Sequence, residues 1–269
     1  MKSIPKLTDQ TALARNRARS ATDPVTFLHD IALDEIKDRL SLVNRRFTNP
    51  AIVSGFPNTW RDLFPDAAIV DDSETINLQI GAHDLVIHAM GLHWASDPVG
   101  QLIQCLRALK PDGLFLAVLF GGQTLHELRA SLAEAESRIT GGLSPRVAPM
   151  ADIRDLGALL QRAGFALPVA DSLPLTTSYP TPLHLMHELR AMGETNALHD
   201  RLRNPTKRAV FDRATQIYTE QFPAADGRVE ATFELVFLAG WAPHESQQQP
   251  LRPGSATNSL ADALRIPDD

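Results

Sequence analysis

Asp84-Leu85-Val86-Ile87-His88-Ala89-Met90, then Asp97, then Leu114-Phe115-Leu116-Ala117-Val118-Leu119-Phe120 form the stretch that decides the fold. The first run is apolar and of strand length. Asp97 suits the capping position of a helix, on which Leu102, Cys105, Leu106 and Leu109 share one face. Lys110-Pro111-Asp112-Gly113 stops that helix, because proline has no amide hydrogen to give and glycine tolerates a left-handed turn. The second run is apolar without interruption, as a strand covered on both faces requires. Strand, helix, strand is the repeating unit of a parallel sheet, so the chain reads as an α/β protein.

Upstream of this unit, Ala51–Ser54 and Ala67–Val70 are short apolar runs ending at Gly55 and at Asp71-Asp72, which predicts two more buried strands. Before them, Phe27, Leu28, Ile31, Ile36, Leu40 and Val43 recur at helical spacing. Downstream, Thr124–Ile139 and the stretch built on Ile153, Leu156, Leu159 and Leu160 read as helices, the second ending at Gly164. Phe165–Tyr179 is one extended run or two, Pro182–Phe222 is helical in pattern, and Ala231–Trp241 is a strong strand candidate. The expected organisation is a helical segment over 1–48, an α/β domain over 49–242 with a helical insertion at about 180–222, and a tail over 243–269 that docks as a loop or is partly disordered.

At 269 residues and 43% hydrophobic content, the chain can bury one α/β core with a small helical annex. A net charge of -6 repels phosphate backbones and argues against a nucleic-acid partner. A single cysteine, Cys105, excludes an internal disulfide and suits a reducing compartment such as the cytoplasm. No apolar stretch is long enough to span a bilayer. The Arg15, Arg17 and Arg19 run reads as a solvated arm. His29-Asp30, His83-Asp84, His126-Glu127, His187-Glu188 and His199-Asp200 are adjacent pairs without the spacer that seeds a two-histidine, one-carboxylate iron site, so no metal is expected.

Asp84-Leu85-Val86, Leu92-His93-Trp94, Asp97 and Leu109-Lys110-Pro111-Asp112-Gly113 together resemble the second half of the class I S-adenosylmethionine-dependent methyltransferase fold, which is Rossmann-like. One branch is more similar: the methyltransferase-like assembly factors of respiratory complex I. The resemblance lies in Phe120-Gly121-Gly122-Gln123-Thr124-Leu125, Gly141-Gly142-Leu143-Ser144-Pro145-Arg146, Asp155-Leu156-Gly157, Arg162-Ala163-Gly164-Phe165 and Met192-Gly193-Glu194 with Asn196. It is completed by Gly240-Trp241, His244-Glu245-Ser246-Gln247 and Arg252-x-Gly254-Ser255-Ala256. In mitochondria that family is associated with hydroxylating an arginine on a complex I subunit. The resemblance therefore implies a protein partner or substrate of this kind. Malonyl-carrier-protein O-methyltransferases share the middle motifs but not the tail.

The methyltransferase resemblance implies three contacts to S-adenosylmethionine: a glycine-rich turn after the first strand, a carboxylate after the second for the ribose hydroxyls, and an acid after the third for the adenine edge. Here Ser54-Gly55-Phe56-Pro57 keeps a single glycine. Only 28 residues separate Gly55 from Asp84, and one strand-helix-strand unit takes roughly 30. Either the second strand or the third is missing, and with it one cofactor acid. The candidate cofactor residues are Gly55, Asp71, Asp72, His88, Ala89, Met90, His93 and Trp94, with Arg146, His244 and Glu245 as candidate substrate contacts. His88 lies inside a strand, where a satisfied buried histidine is the competing expectation. Two functions follow: a methyltransferase-like enzyme acting on a protein or small molecule, or a cofactor-free scaffold that holds a complex I subunit.

Overall fold

The computed structural model describes residues 6–248. The Arg252–Ala256 motif and most of the expected tail lie outside the described residues. Two helices lead in, α1 (Gln10–Ser20) and α2 (Phe27–Ser41). Then come β1 (Pro50–Val53), the short α3 (Pro57–Trp60), β2 (Ala68–Val70), β3 (His83–Ala89), α4 (Pro98–Ala108) and β4 (Leu109–Phe120). The second half is α5 (His126–Thr140), α6 (Ile153–Ala163), β5 (Ala166–Tyr179), α7 (Pro182–Ala191), α8 (Arg208–Gln221) and β6 (Val229–Trp241).

The six strands form one sheet in the order β2-β1-β3-β4-β6-β5. The first four are parallel, β6 runs antiparallel to β4, and β5 is antiparallel to β6, so β6 alone is reversed in the sheet. Along β4, Leu114, Leu116 and Val118 face α2, α5 and α8, while Phe115, Ala117 and Leu119 face α4 and α6. Successive side chains of a strand point to opposite faces, so an all-apolar run is what a sheet between two helical layers demands. Full burial of a side chain such as Phe115 contributes about 1.5–3 kcal/mol.

Local signals act as their chemistry dictates. Asp97 accepts from Gly100 N at 2.9 Å and caps α4, and Gly164 ends α6 at φ +95°. The extended run after Gly164 forms a single 14-residue edge strand, Ala166–Tyr179. The helical pattern from Pro182 to Phe222 divides into α7 and α8, because Gly193 turns the chain at φ +81° and residues 192–207 form no helix. That connection is what reaches the carboxyl edge of the sheet. β2 lies beside β1, so the second strand is kept, Asp71 and Asp72 stand at its carboxyl end, and no third strand lies beyond it among the described residues.

Candidate functional site

Strand connections leave in opposite directions from β1 and β3, which opens a crevice at their carboxyl ends, where open α/β sheets place ligands. Gly55 forms one wall of the crevice and Gly91 the other. Between them lies an ion pair from this chain: Arg17 Nη1 and Nη2 donate to the two oxygens of Asp72 at 2.6 and 2.8 Å. Asp72 is buried at 6% side-chain exposure and Arg17 is largely covered at 11%. A Cβ at Gly55 would stand 2.0 Å from Arg17 Nη1, and one at Gly91 would stand 2.1 Å from Asp72 Oδ2. The two glycines thus make room for the guanidinium and the carboxylate. The Arg17 guanidinium also lies over the Phe56 ring, 5.3 Å from its centroid.

The expected solvated arm is therefore corrected at one of its three arginines. Arg15 and Arg19 are exposed, but Arg17 shares the inward face of α1 with Leu13, Asn16 and Ser20. α1 is held down along its length. Asp9 N donates to Ala197 O at 2.8 Å, Asn16 Nδ2 donates to Thr195 O at 2.9 Å, and Thr8 Oγ1 donates to Trp94 O at 2.6 Å. The Asp9 carboxylate caps α1 and accepts from Arg201 and Arg203.

Burial alone would raise the Asp72 carboxyl, but the bonds and charge of Arg17 outweigh it and hold the group below the usual carboxylate range. His88 is fully buried, and burial pushes its pKa down. Gln101 gives its amide hydrogens to the carbonyls of Asp72 and Ser73, so its Oε1 accepts from His88 Nε2 at 2.9 Å. This fixes the neutral tautomer. His88 thus ties the end of β2 to β3. Ala89 and Met90 turn into the core, and Met90 takes φ +53° as the chain leaves the sheet. Asp71 is exposed and lines the cavity beside Gly55 and Asp72.

His93 and Trp94 lie in a buried 3-10 turn after β3. Both point at Glu194, in the connection after α7. Trp94 Nε1 donates to Glu194 Oε2 at 2.8 Å, and His93 Nε2 stands 3.4 Å from the same oxygen. Burial opposes ionisation of Glu194, but His93, Arg17 and the indole N–H prevail and keep its pKa below the ordinary value. Glu194 and Trp94 form part of the wall of a cavity of about 460 Å³ between the sheet and α5, α7 and α8. A second cavity, about 600 Å³, remains between α1 and the ends of β1 and β2.

The other substrate candidates lie apart. Arg146 borders the first cavity, yet its guanidinium is engaged by Glu136 at 2.6 and 3.0 Å and by Thr206 at 2.9 Å. His244 and Glu245 are exposed beyond β6. Neighbouring Gln247 bonds to Asp112 and Ala242 at the starting end of β4. Seven residue steps along β4 put that end roughly 23 Å from the crevice. The structure does not bring these two residues to the site.

The cradle can be tested against S-adenosylmethionine on these contacts. The glycine face and the carboxylate that would meet methionine and ribose are both taken by Arg17. With α1 in this position the cofactor could meet Gly55 and Asp72 only after Arg17 releases them, while Asp71 stays exposed on the adjoining cavity. Cys105 offers no nucleophile, since burial raises its thiol to about 12.

The arginine-hydroxylase NDUFAF5 of Danio rerio is 36% identical over 225 residues, covering 84% of this chain and 70% of its own length. The chain belongs to the NDUFAF5 arginine-hydroxylase family. It spans 60 to 70% of the length of the vertebrate NDUFAF5 proteins, which are named as mitochondrial. The malonyl-[acyl-carrier protein] O-methyltransferase of Xylella fastidiosa is 32% identical over 179 residues, 66% of this chain and 58% of that protein. A Bacillus halodurans protein described as a methyltransferase shares the fold with a TM-score of 0.51 at 15% identity, over 79% of this chain and 99% of its own. No family model matches the chain. NDUFAF5 membership thus goes with a methyltransferase fold. Among the described residues, no helix is long and apolar enough to cross a membrane.

Sequence reasoning missed two residues of this site. Arg17 was legible in principle, being four residues after buried Leu13 and three before buried Ser20 on one helix. Glu194 belonged to a recognised motif, but nothing local tied it to Trp94, 100 residues earlier.

Proposed function

We propose that this protein is an arginine-directed assembly factor for respiratory complex I, in which a methyltransferase fold acts on a protein partner while α1 occupies the place of S-adenosylmethionine. The observation that carries this reading is the Arg17 guanidinium on Asp72, between Gly55 and Gly91. The name of the NDUFAF5 relatives supports arginine as the group addressed. The resemblance that runs through Gly141–Arg146 and Met192–Asn196 supports a complex I subunit as the partner.

A second reading keeps S-adenosylmethionine as cofactor. It is favoured by Asp72 standing at the end of β2, where a ribose acid belongs, beside a cavity of about 600 Å³. It requires α1 to lift and Arg17 to release Asp72.

Deleting the gene and quantifying assembled NADH:quinone oxidoreductase tests the first reading. The expected result is a loss of assembled complex that this chain restores. Normal assembly in the deletion strain would overturn it.

A further inference from the structure

The cavity of about 460 Å³ between the sheet and α5, α7 and α8 is lined chiefly by carbon, including Phe120, Leu128, Leu132, Met186, Phe211 and Phe233. Its polar lining is largely committed within the protein. Thr124 Oγ1 donates to Glu234 O and accepts from Glu234 N. Asn196 donates to Pro145 O and accepts from Leu198 N, and Arg146 is engaged by Glu136 and Thr206. Glu194 accepts from Trp94 and faces His93, and these contacts, with the charge of Arg17, keep it ionised. The interior therefore has few groups to repay a polar head for the water it would lose, whereas an apolar chain gains by entering.

The mouth has the opposite character. His187 and Arg190, on the last two turns of α7, line the cavity and are exposed, and neither has an ion-pair partner among the described residues. Lys207 precedes α8 and Arg208 begins it, one turn before Phe211 of the cavity wall. Arg208 is 95% exposed, with one loose contact to Asp212 at 3.9 Å. On a chain of net charge -6, these cations around an apolar opening reverse the sign locally. We propose that the cavity binds an aliphatic chain with a small anionic head, a fatty carboxylate, the chain inside and the head at the mouth against Arg190 and Arg208. At the mouth the carboxylate keeps its water, and the negative charge of Glu194 in the wall turns it outward. The volume lies within the range of small-molecule pockets. This assignment does not rest on the assembly role.

Displacement of a fluorescent fatty acid from the full chain tests this, using the saturated carboxylates from hexanoate to hexadecanoate below their micellar concentrations, with decyltrimethylammonium as the cationic control. Each methylene that enters the cavity is expected to tighten binding about fourfold, and the gain should stop within the series once the cavity is full. Decanoate should bind about tenfold more tightly than decyltrimethylammonium, the combined effect of two exposed charges. Arg190→Gln with Arg208→Gln, both at exposed positions, should erase that preference and leave the chain-length gain intact. Met150→Trp, which fills the cavity from its wall, should abolish the chain-length gain. The plateau in the wild type is read without any variant, so a poorly folded Met150→Trp leaves the test in force. No saturable displacement by any carboxylate, or affinity that rises to hexadecanoate without a plateau, would overturn the enclosed site. Equal binding of decanoate and decyltrimethylammonium, or a preference that survives the double glutamine variant, would overturn the anionic head.

Discussion

Replacing Arg17 by methionine keeps an unbranched apolar stem and removes the guanidinium with its charge and donors. Asp72 would then be left at 6% exposure with no cation. Breaking a buried pair by removing one member costs about 3–5 kcal/mol, because the remaining charge is stranded. For a chain of this size each kcal/mol moves Tm by about 2–4 °C, so the variant should melt roughly 6–20 °C lower. The pH dependence has a definite sign. In the wild type the Asp72 pKa is depressed, so the pair stabilises the protein above the ordinary carboxylate pKa and the contribution is lost as pH falls through the depressed value. In Arg17→Met the main lowering influence is gone and burial pushes the carboxyl up, so the deficit is largest near neutrality and narrows as pH falls through that raised value toward the ordinary carboxylate pKa. Adding Asp72→Asn should recover much of the loss, which a double-mutant cycle by urea denaturation measures. A deficit below about 1 kcal/mol, the worth of an exposed pair, would refute the claim that Arg17 is sealed into the crevice.

Gly91→Ala places a Cβ 2.1 Å from Asp72 Oδ2 and should destabilise by about 1–3 kcal/mol, read from the urea midpoint; an unchanged midpoint would show that the carboxylate has room to move. Trp94→Phe removes the 2.8 Å bond to ionised Glu194 and should cost about 1.5–3 kcal/mol, with little loss expected when Glu194→Gln is already present. Cys105, with its thiol raised to about 12, should resist a thiol reagent in the native protein and react on unfolding; rapid native labelling would contradict its burial.

The parallel core was legible because its evidence is local. A strand between Asp84 and Met90, the Asp97 cap and the stop before Leu114 are each decided within a few residues. The 28-residue gap after Gly55 showed that a strand had been lost but not which one, since two short apolar runs fit either alignment. Pairing of Ile52 with Ile69 settles this, and such a contact is invisible to periodicity. The site was harder for the same reason. Gly55 and Asp72 were marked as cofactor contacts, yet their partner in the structure is Arg17, brought from α1 by tertiary docking. Glu194 meets Trp94 only because residues 192–207 leave the helical pattern and cross the sheet edge.

In the proposed function, α1 closes the methyltransferase cradle. Titrating S-adenosylmethionine into the wild type and into Arg17→Met by calorimetry tests it most directly. No saturable heat is expected from the wild type at about 1 mM ligand, near -4 kcal/mol, and measurable binding is expected once Arg17 is gone. Micromolar binding by the wild type, weakened by the substitution, would contradict it and make Arg17 a cofactor ligand instead of a plug.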